Sequence, residues 1–198
     1  MHAHGLATRW AAQVTPGDEV LISAPVGRYG PAPEAEWELL VADLTGLPAA
    51  SRIIAELAPR RRARAIFEVP SEDCVLTLET AADLDISWIF NPTPDVTPSV
   101  LGSATRSLEL LPGPGYVWMA GEAGCSRDIR RYFRHELRWP SSAYDIVSYW
   151  RPDAEAYLKR YTAIEDEVAK IYSESYGAGR DSEDTVDEVL AVMEAHGL

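Results

Sequence analysis

The chain has 198 residues, 46% of them hydrophobic, enough for one sizeable core with an appendage. Its formal net charge of -13 argues against an electrostatic grip on nucleic acid or on an anionic membrane surface, since both need a basic face that displaces counterions. A small molecule or another protein is the expected partner.

The start, MHAHGLATRWAAQ, has no basic n-region and no long apolar h-region. No later run approaches the roughly 20 apolar residues of a membrane helix. Cys74 and Cys125 stand far apart without a metal-ligand spacing, so the expectation is a reduced, cytoplasmic protein. His2 and His4 have no carboxylate or cysteine cluster beside them and read as a frayed terminus, so no metal is expected.

In chain order, residues 8–13 predict a short helix capped by Thr8, and GDEVLISAP a turn followed by a strand. The Gly/Pro/Ala-rich VGRYGPAPEAE reads as a linker, with a boundary near residue 33. A regular alternation follows: strand 37–43, helix 47–58, strand 64–69, strand 85–90, helix 98–110, strand 115–120, helix 123–137 and strand 144–149. Between the second and third strands, SEDCVLTLETAADLD is compatible with strand, short helix or loop. Alternating strands and helices predict an α/β fold: a three-layer sandwich around a parallel, Rossmann-like sheet with right-handed crossovers. Strand 37–43, apolar on both faces, is expected at its centre.

From residue 152, Ala156, Leu158, Tyr161, Ile164, Val168, Ile171 and Tyr172 recur at helical spacing, which predicts an amphipathic helix over 152–172 lying on the domain or on a second copy. A break at GAGRDS precedes a last short helix with acidic residues in its first turn. The expected organisation is therefore a leading segment 1–33, an α/β domain 34–151 and a C-terminal helical extension 152–198.

In an open parallel sheet, ligands bind beyond the carboxyl ends of the strands, where helix starts offer free amides to anions. Three stretches lie at such ends. In VADLTGLP, Thr45 and Gly46 lead into a helix whose first turn holds Pro48; the pattern admits a plain turn or a phosphate site. In FEVPSED, Glu68 and Ser71 follow the second strand, where an acid commonly reads the adenosine ribose. In MAGEAG, Ala120, Gly121, Glu122, Ala123 and Gly124 are mostly small, which suits either a flat ring passing by or close helix packing. Arg60, Arg61 and Arg62 read as a solvated turn at a helix end. Arg127, Arg130, Arg131 and Arg134 form one basic helix face, open to anion contact. The sequence has no GxSxG, HExxH or Walker motif, nor the GxGxxG fingerprint.

Taken together, WELLVADLTGLPAASRIIAEL, AIFEVPSEDC, VWMAGEAGCSRDIRRYFRHEL and DIVSYWRPDAE resemble, in order, the siderophore-interacting protein family, flavin-dependent ferric-siderophore reductases related to ferredoxin reductases. HGLATRWAAQVTPGDEVLISAPVG resembles the end of that family's flavin-binding barrel. The resemblance implies a nicotinamide-binding half that delivers hydride from NAD(P)H to a flavin, for reduction of a bound ferric siderophore to ferrous iron. By position, Asp43, Thr45, Gly46 and Pro48 would lie at the cofactor's phosphates, Glu68, Pro70 and Ser71 near its adenosine, and Gly121, Glu122 and Ala123 by the nicotinamide. Tyr149, Trp150 and Arg151 would close the site near the flavin, with Trp150 able to stack on either ring, and Ala7 and Thr8 would help cap the flavin pyrophosphate. The acidic PSED favours NADH over NADPH.

There are departures from the family pattern. Ala42-Asp43-Leu44-Thr45-Gly46-Leu47-Pro48 stands where the family usually has Gly-Asp-Glu-Thr-Ala-Leu-Pro, and Val26 replaces an expected arginine. Nearly all of the flavin barrel, including its Arg-Pro-Tyr-Thr segment, has no counterpart in these residues. The expectation is a chain that carries no FAD and is inactive alone. A homodimer, or a flavin-domain partner met through residues 1–30 or the C-terminal helices, would complete it; the alternative is a non-catalytic binding module of the same fold.

Overall fold

The computed structural model describes residues 6–24, 27–94 and 96–198, with side chains from Arg9 onward. Five strands form one sheet: β1 (Trp37–Asp43), β2 (Arg62–Val69), β3 (Asp83–Phe90), β4 (Gly115–Glu122) and β5 (Tyr144–Trp150). Their order is β3-β2-β1-β4-β5, and every neighbouring pair is parallel. All seven residues of β1 are buried, as a central strand covered on both faces requires.

The two-residue period of β1 feeds two cores. Leu40 and Ala42 pack with Ala65, Phe67, Trp118 and the buried Leu47, Ala50, Ile53 and Ile54 of α2 (Leu47–Glu56). Leu39 and Val41 face the other way, with Val117, Met119, Leu101 of α3 (Leu101–Ser107) and Ile129 of α4 (Ala123–Arg131). Helices on both faces of a parallel sheet give the predicted α/β Rossmann-like sandwich. Because the chain runs from β1 outward through β2 to β3 and then crosses back to β4 on the other side of β1, the strand order reverses between β1 and β4, where their carboxyl ends border a crevice.

Several expectations need correction. Helix α1 (Leu6–Gln13) begins before Thr8, which therefore sits inside it and does not cap it. The expected strand in GDEVLISAP is not formed: residues 18–24 have no regular structure, and Leu21 is 99% exposed. A strand needs a hydrogen-bonding neighbour, and residues 18–24 pair with none of the five strands of the sheet. Val26, His2 and His4 lie outside the described residues, as do the side chains of Ala7 and Thr8. The undecided stretch after β2 is a short 3-10 turn, Glu72–Cys74, followed by irregular chain. Helix α4 ends at Arg131 and continues as a π-turn over Tyr132–Glu136.

The helix expected over 152–172 is two helices, α5 (Ala154–Tyr161) and α6 (Glu165–Ala178). Ile164, Val168 and Ile171 bury against Val189 and Met193 of α7 (Ser182–Ala195), whereas Leu158 is 62% exposed. Of the α5 part of the stripe, Tyr161 still packs against this core, and the break before Glu165 leaves Leu158 facing outward. This small core contains none of the sheet's residues. Ion pairs join the hairpin to the domain instead. Arg130 bonds Glu183 and Asp187 at 2.9 and 2.6 Å, Arg134 bonds Asp184 and Asp187, each at 2.6 Å, and Arg131 bonds Glu194 at 3.1 Å. The basic face of α4, left open to anions by the sequence, is thus covered by an acidic helix. Similarly, Arg61 is not a solvated turn residue, since its Nε lies 2.8 Å from the buried carboxylate of Glu38.

Candidate functional site

At the carboxyl edge of the sheet, β1 ends in Asp43 and turns through Leu44–Gly46 into α2. Asp43 Oδ1 accepts hydrogen bonds from Thr45 N (2.8 Å), Thr45 Oγ1 (2.6 Å) and Gly46 N (3.3 Å). Its other oxygen accepts from Trp150 Nε1, at the end of β5, at 2.6 Å. The intervening strand β4 leaves room because its next-to-last residue is Gly121, where a Cβ would stand 2.7 Å from Asp43 Oδ2. Gly46 has an ordinary φ of -84° but packs against β4 so closely that a Cβ would overlap the Ala120 carbonyl oxygen. Helix packing accounts for this glycine without a ligand.

Two more carboxylates hold the neighbouring helix starts. Glu68, buried at the end of β2, accepts from Asn91 Nδ2 at 3.0 Å, Ser99 Oγ at 3.2 Å and Val100 N at 2.8 Å, just before α3. Glu122 is the N-cap of α4 and accepts from Gly124 N at 2.7 Å and Cys125 N at 2.8 Å. In each case a fixed negative charge faces amides that would otherwise be unsatisfied, next to the positive end of a helix. These donors, expected to be free for a phosphate, are engaged by the protein itself.

A cleft of about 890 Å³ runs along this edge. Of the residues singled out by sequence, Asp43, Thr45, Glu68, Pro70, Glu122 and Trp150 line it. Gly46, Gly121 and Ala123 are buried outside the lining, while Pro48, Ser71 and Tyr149 are exposed outside it. Arg151 lies with its guanidinium carbon 3.3 Å from the centroid of the Tyr157 ring. Sequence reasoning missed the opposite wall, built by Asn91, Thr97, Pro98 and Ser99. Its signal was present: NPTP-VTPS is a Pro/Thr/Ser loop directly after a strand, at the same edge as the other three stretches.

Burial pushes the Cys125 thiol up to about 12, so this cleft residue is a neutral thiol and not a poised nucleophile. Among the described residues no group of three His, Cys, Asp or Glu side chains could hold a metal ion, and no helix is long and apolar enough to cross a membrane. The cleft fits an elongated ligand with a flat ring in size and position, with an indole at one end and small residues beside it. It fits phosphate charge less well, since its amide donors are taken. Every residue from Arg9 to Ala24, within the segment that resembles the end of the flavin barrel, is exposed, and none of them lines the cleft.

The family model for siderophore-interacting proteins matches residues 35–153. An uncharacterized protein of Mycobacterium tuberculosis is 31% identical over 161 residues, covering 75% of this chain and 56% of that one. The NADPH-dependent ferric-chelate reductase of Escherichia coli is 25% identical over 153 residues, covering 76% and 58%. Among solved structures, the siderophore-interacting protein SipS from Aeromonas hydrophila superposes with a TM-score of 0.59 at 32% identity, covering 75% of this chain and 63% of that one. The chain therefore spans less than two thirds of the length of these relatives. With the matched segment containing the whole sheet and the cleft at its carboxyl edge, the chain belongs to the siderophore-interacting protein family.

Proposed function

We propose that this chain is the nicotinamide-dinucleotide-binding half of a ferric-siderophore reductase, working with a flavin domain. The observation that carries the reading is the cleft at the switch between β1 and β4, with the Trp150 indole held over Asp43 at its end. A nicotinamide held there would supply a hydride. The chain's own part is to hold the ring in place, with Gly124 on the lining leaving it room and Trp150 offering a flat surface at the junction with the flavin. The names of relatives such as the ferric-chelate reductase support iron as the eventual electron acceptor. The exposed Val20, Leu21 and Ile22 support a second domain, since such a segment is normally covered.

A second reading, a binding module without catalysis, is favoured by one observation: Asp43, Glu68 and Glu122 already satisfy amides where a phosphate would sit. The test separates the two. The purified chain, titrated with NADH and with FAD, should change its tryptophan fluorescence saturably with NADH and carry no FAD. Mixed with a separately expressed flavin domain of a family member, it should then reduce a ferric siderophore. Saturable NADH binding without any reduction in the mixture would favour the binding module, and absence of dinucleotide binding would remove the reductase reading.

A further inference from the structure

We propose that the cleft discriminates by phosphate charge: it takes NADH and rejects NADPH, with Glu68 and Asp128 as specificity-determining carboxylates, and its affinity for either dinucleotide rises with salt. This rests on the reading that the cleft holds a nicotinamide dinucleotide.

The lining contains four carboxylates, those of Asp43, Glu68, Glu122 and Asp128, and among the described residues no lysine, arginine or histidine. The nearby arginines have other tasks. Arg106 pairs with Asp128 at 3.2 Å and with Glu136 at 2.6 Å. Arg127 donates to the main-chain oxygen of Leu198 at 2.9 Å, and Arg151 covers the Tyr157 ring. Neutral donors are committed too. The Thr45 hydroxyl donates to Asp43, that of Ser99 to Glu68 and that of Ser103 to the Val100 carbonyl, while Thr97 shares a hydrogen bond with Thr93. What the walls present to a ligand is therefore mostly acceptors.

A 2′-phosphate adds roughly two negative charges to a dinucleotide that already carries a pyrophosphate, and sites that accept it ordinarily supply an arginine. Here it would meet fixed charge of its own sign. NADH carries less of that burden and can keep its ribose hydroxyls as donors toward the acceptor-rich wall. The same field fixes an unusual salt response. Ordinary anion sites weaken as salt screens attraction, but here salt screens repulsion, whose range shrinks from roughly 30 Å at 0.01 M to about 8 Å at 0.15 M. Affinity should rise, and more steeply for NADPH.

The experiment is a tryptophan-fluorescence titration of the full chain with NADH and NADPH at low and high sodium chloride. NADH should bind at least about tenfold more tightly than NADPH at low salt, with the gap narrowing as salt rises. Asp128→Asn and Glu68→Gln each remove one lining charge while keeping an acceptor, and each should narrow the gap severalfold. Asp128 serves as the safer variant because its carboxylate is 44% exposed. NADPH binding as tight as NADH, or both weakening with salt, would overturn the proposal. If neither dinucleotide binds at any salt, the reading of the cleft falls, and the selectivity with it.

Discussion

Trp150 Nε1 donates to Asp43 Oδ2 across Gly121, so one 2.6 Å hydrogen bond ties the ends of β5 and β1 over the end of β4. The carboxylate also closes the Thr45–Gly46 turn with its other oxygen. Asp43 is an acceptor to four donors, and a carboxylate so placed organises the cleft wall better than it could grip a phosphate. Asp43→Ala strands these donors at a buried strand end and should cost about 2–3 kcal/mol, read as a lower urea midpoint. It should also shift the indole emission, and that shift should vanish in a Trp150→Phe background. An unchanged Trp150 emission after loss of Asp43 would show that the bond does not hold the ring.

Gly46 gives a second check on the same wall. Because a Cβ would overlap the Ala120 carbonyl oxygen, Gly46→Ala should destabilise the fold by about 1–3 kcal/mol through overpacking, and Gly46→Val by more. Thermal unfolding without ligand measures this directly. A variant as stable as the parent would place the α2 start further from β4 than the structure does, and would reopen direct approach of a phosphate.

Much of the fold was legible because burial on both faces leaves a plain mark. WELLVAD reads as the central strand, and it takes the middle place in the sheet, beside the strand that holds YVWMA. The site's location was legible for a topological reason, since ligands bind where strands end. Its side-chain partners were not. Trp150 and Asp43 stand 107 residues apart in sequence, and nothing local to either announces the other. The arginine face of α4 shows the same limit: four arginines at helical spacing announce a charged surface, but its cover is an acidic helix some fifty residues later. The single helix expected over 152–172 misled because the α5 aromatics and the α6 aliphatics happen to continue one another's spacing across the break.

The two cysteines should differ sharply toward alkylating reagents. Cys125 is buried, and desolvation raises its thiol to about 12, whereas Cys74 is partly exposed. Near pH 8 the thiolate fraction of Cys125 should be on the order of a thousandfold below that of an ordinary cysteine. A maleimide should therefore label one thiol quickly in the native protein and the second only with denaturant. Mass spectrometry assigns the site, and rapid labelling of Cys125 in the folded chain would contradict the closed start of α4.

The last prediction concerns how the hairpin of α6 and α7 stays on the domain. Its apolar core is its own, so attachment rests mainly on the pairs that Arg130, Arg131 and Arg134 make with Glu183, Asp184, Asp187 and Glu194, beside hydrogen bonds from Tyr144 to Glu183 and from Arg127 to Leu198. Burial works to raise the Asp187 pKa, but hydrogen bonds from Arg134 and Arg130 outweigh it and hold the carboxyl below its usual value. The sign follows from linkage. A folded-state pKa below the unfolded one contributes stability that is fully present above about pH 4 and is lost as pH falls through the folded value. Amides of α7 should accordingly exchange faster with deuterium in strong acid than the sheet amides do. Asp187→Asn should remove much of that added acid sensitivity. Arg130→Ala, which leaves Asp187 and Glu183 partly buried with less compensation, should weaken docking by about 1–3 kcal/mol at neutral pH. High salt should loosen α7 before it unfolds the sheet, because ion pairs with partly exposed members are screened while the apolar cores are not. Uniform exchange of α7 and the sheet across pH and salt would mean that the hairpin is held by something other than these arginines.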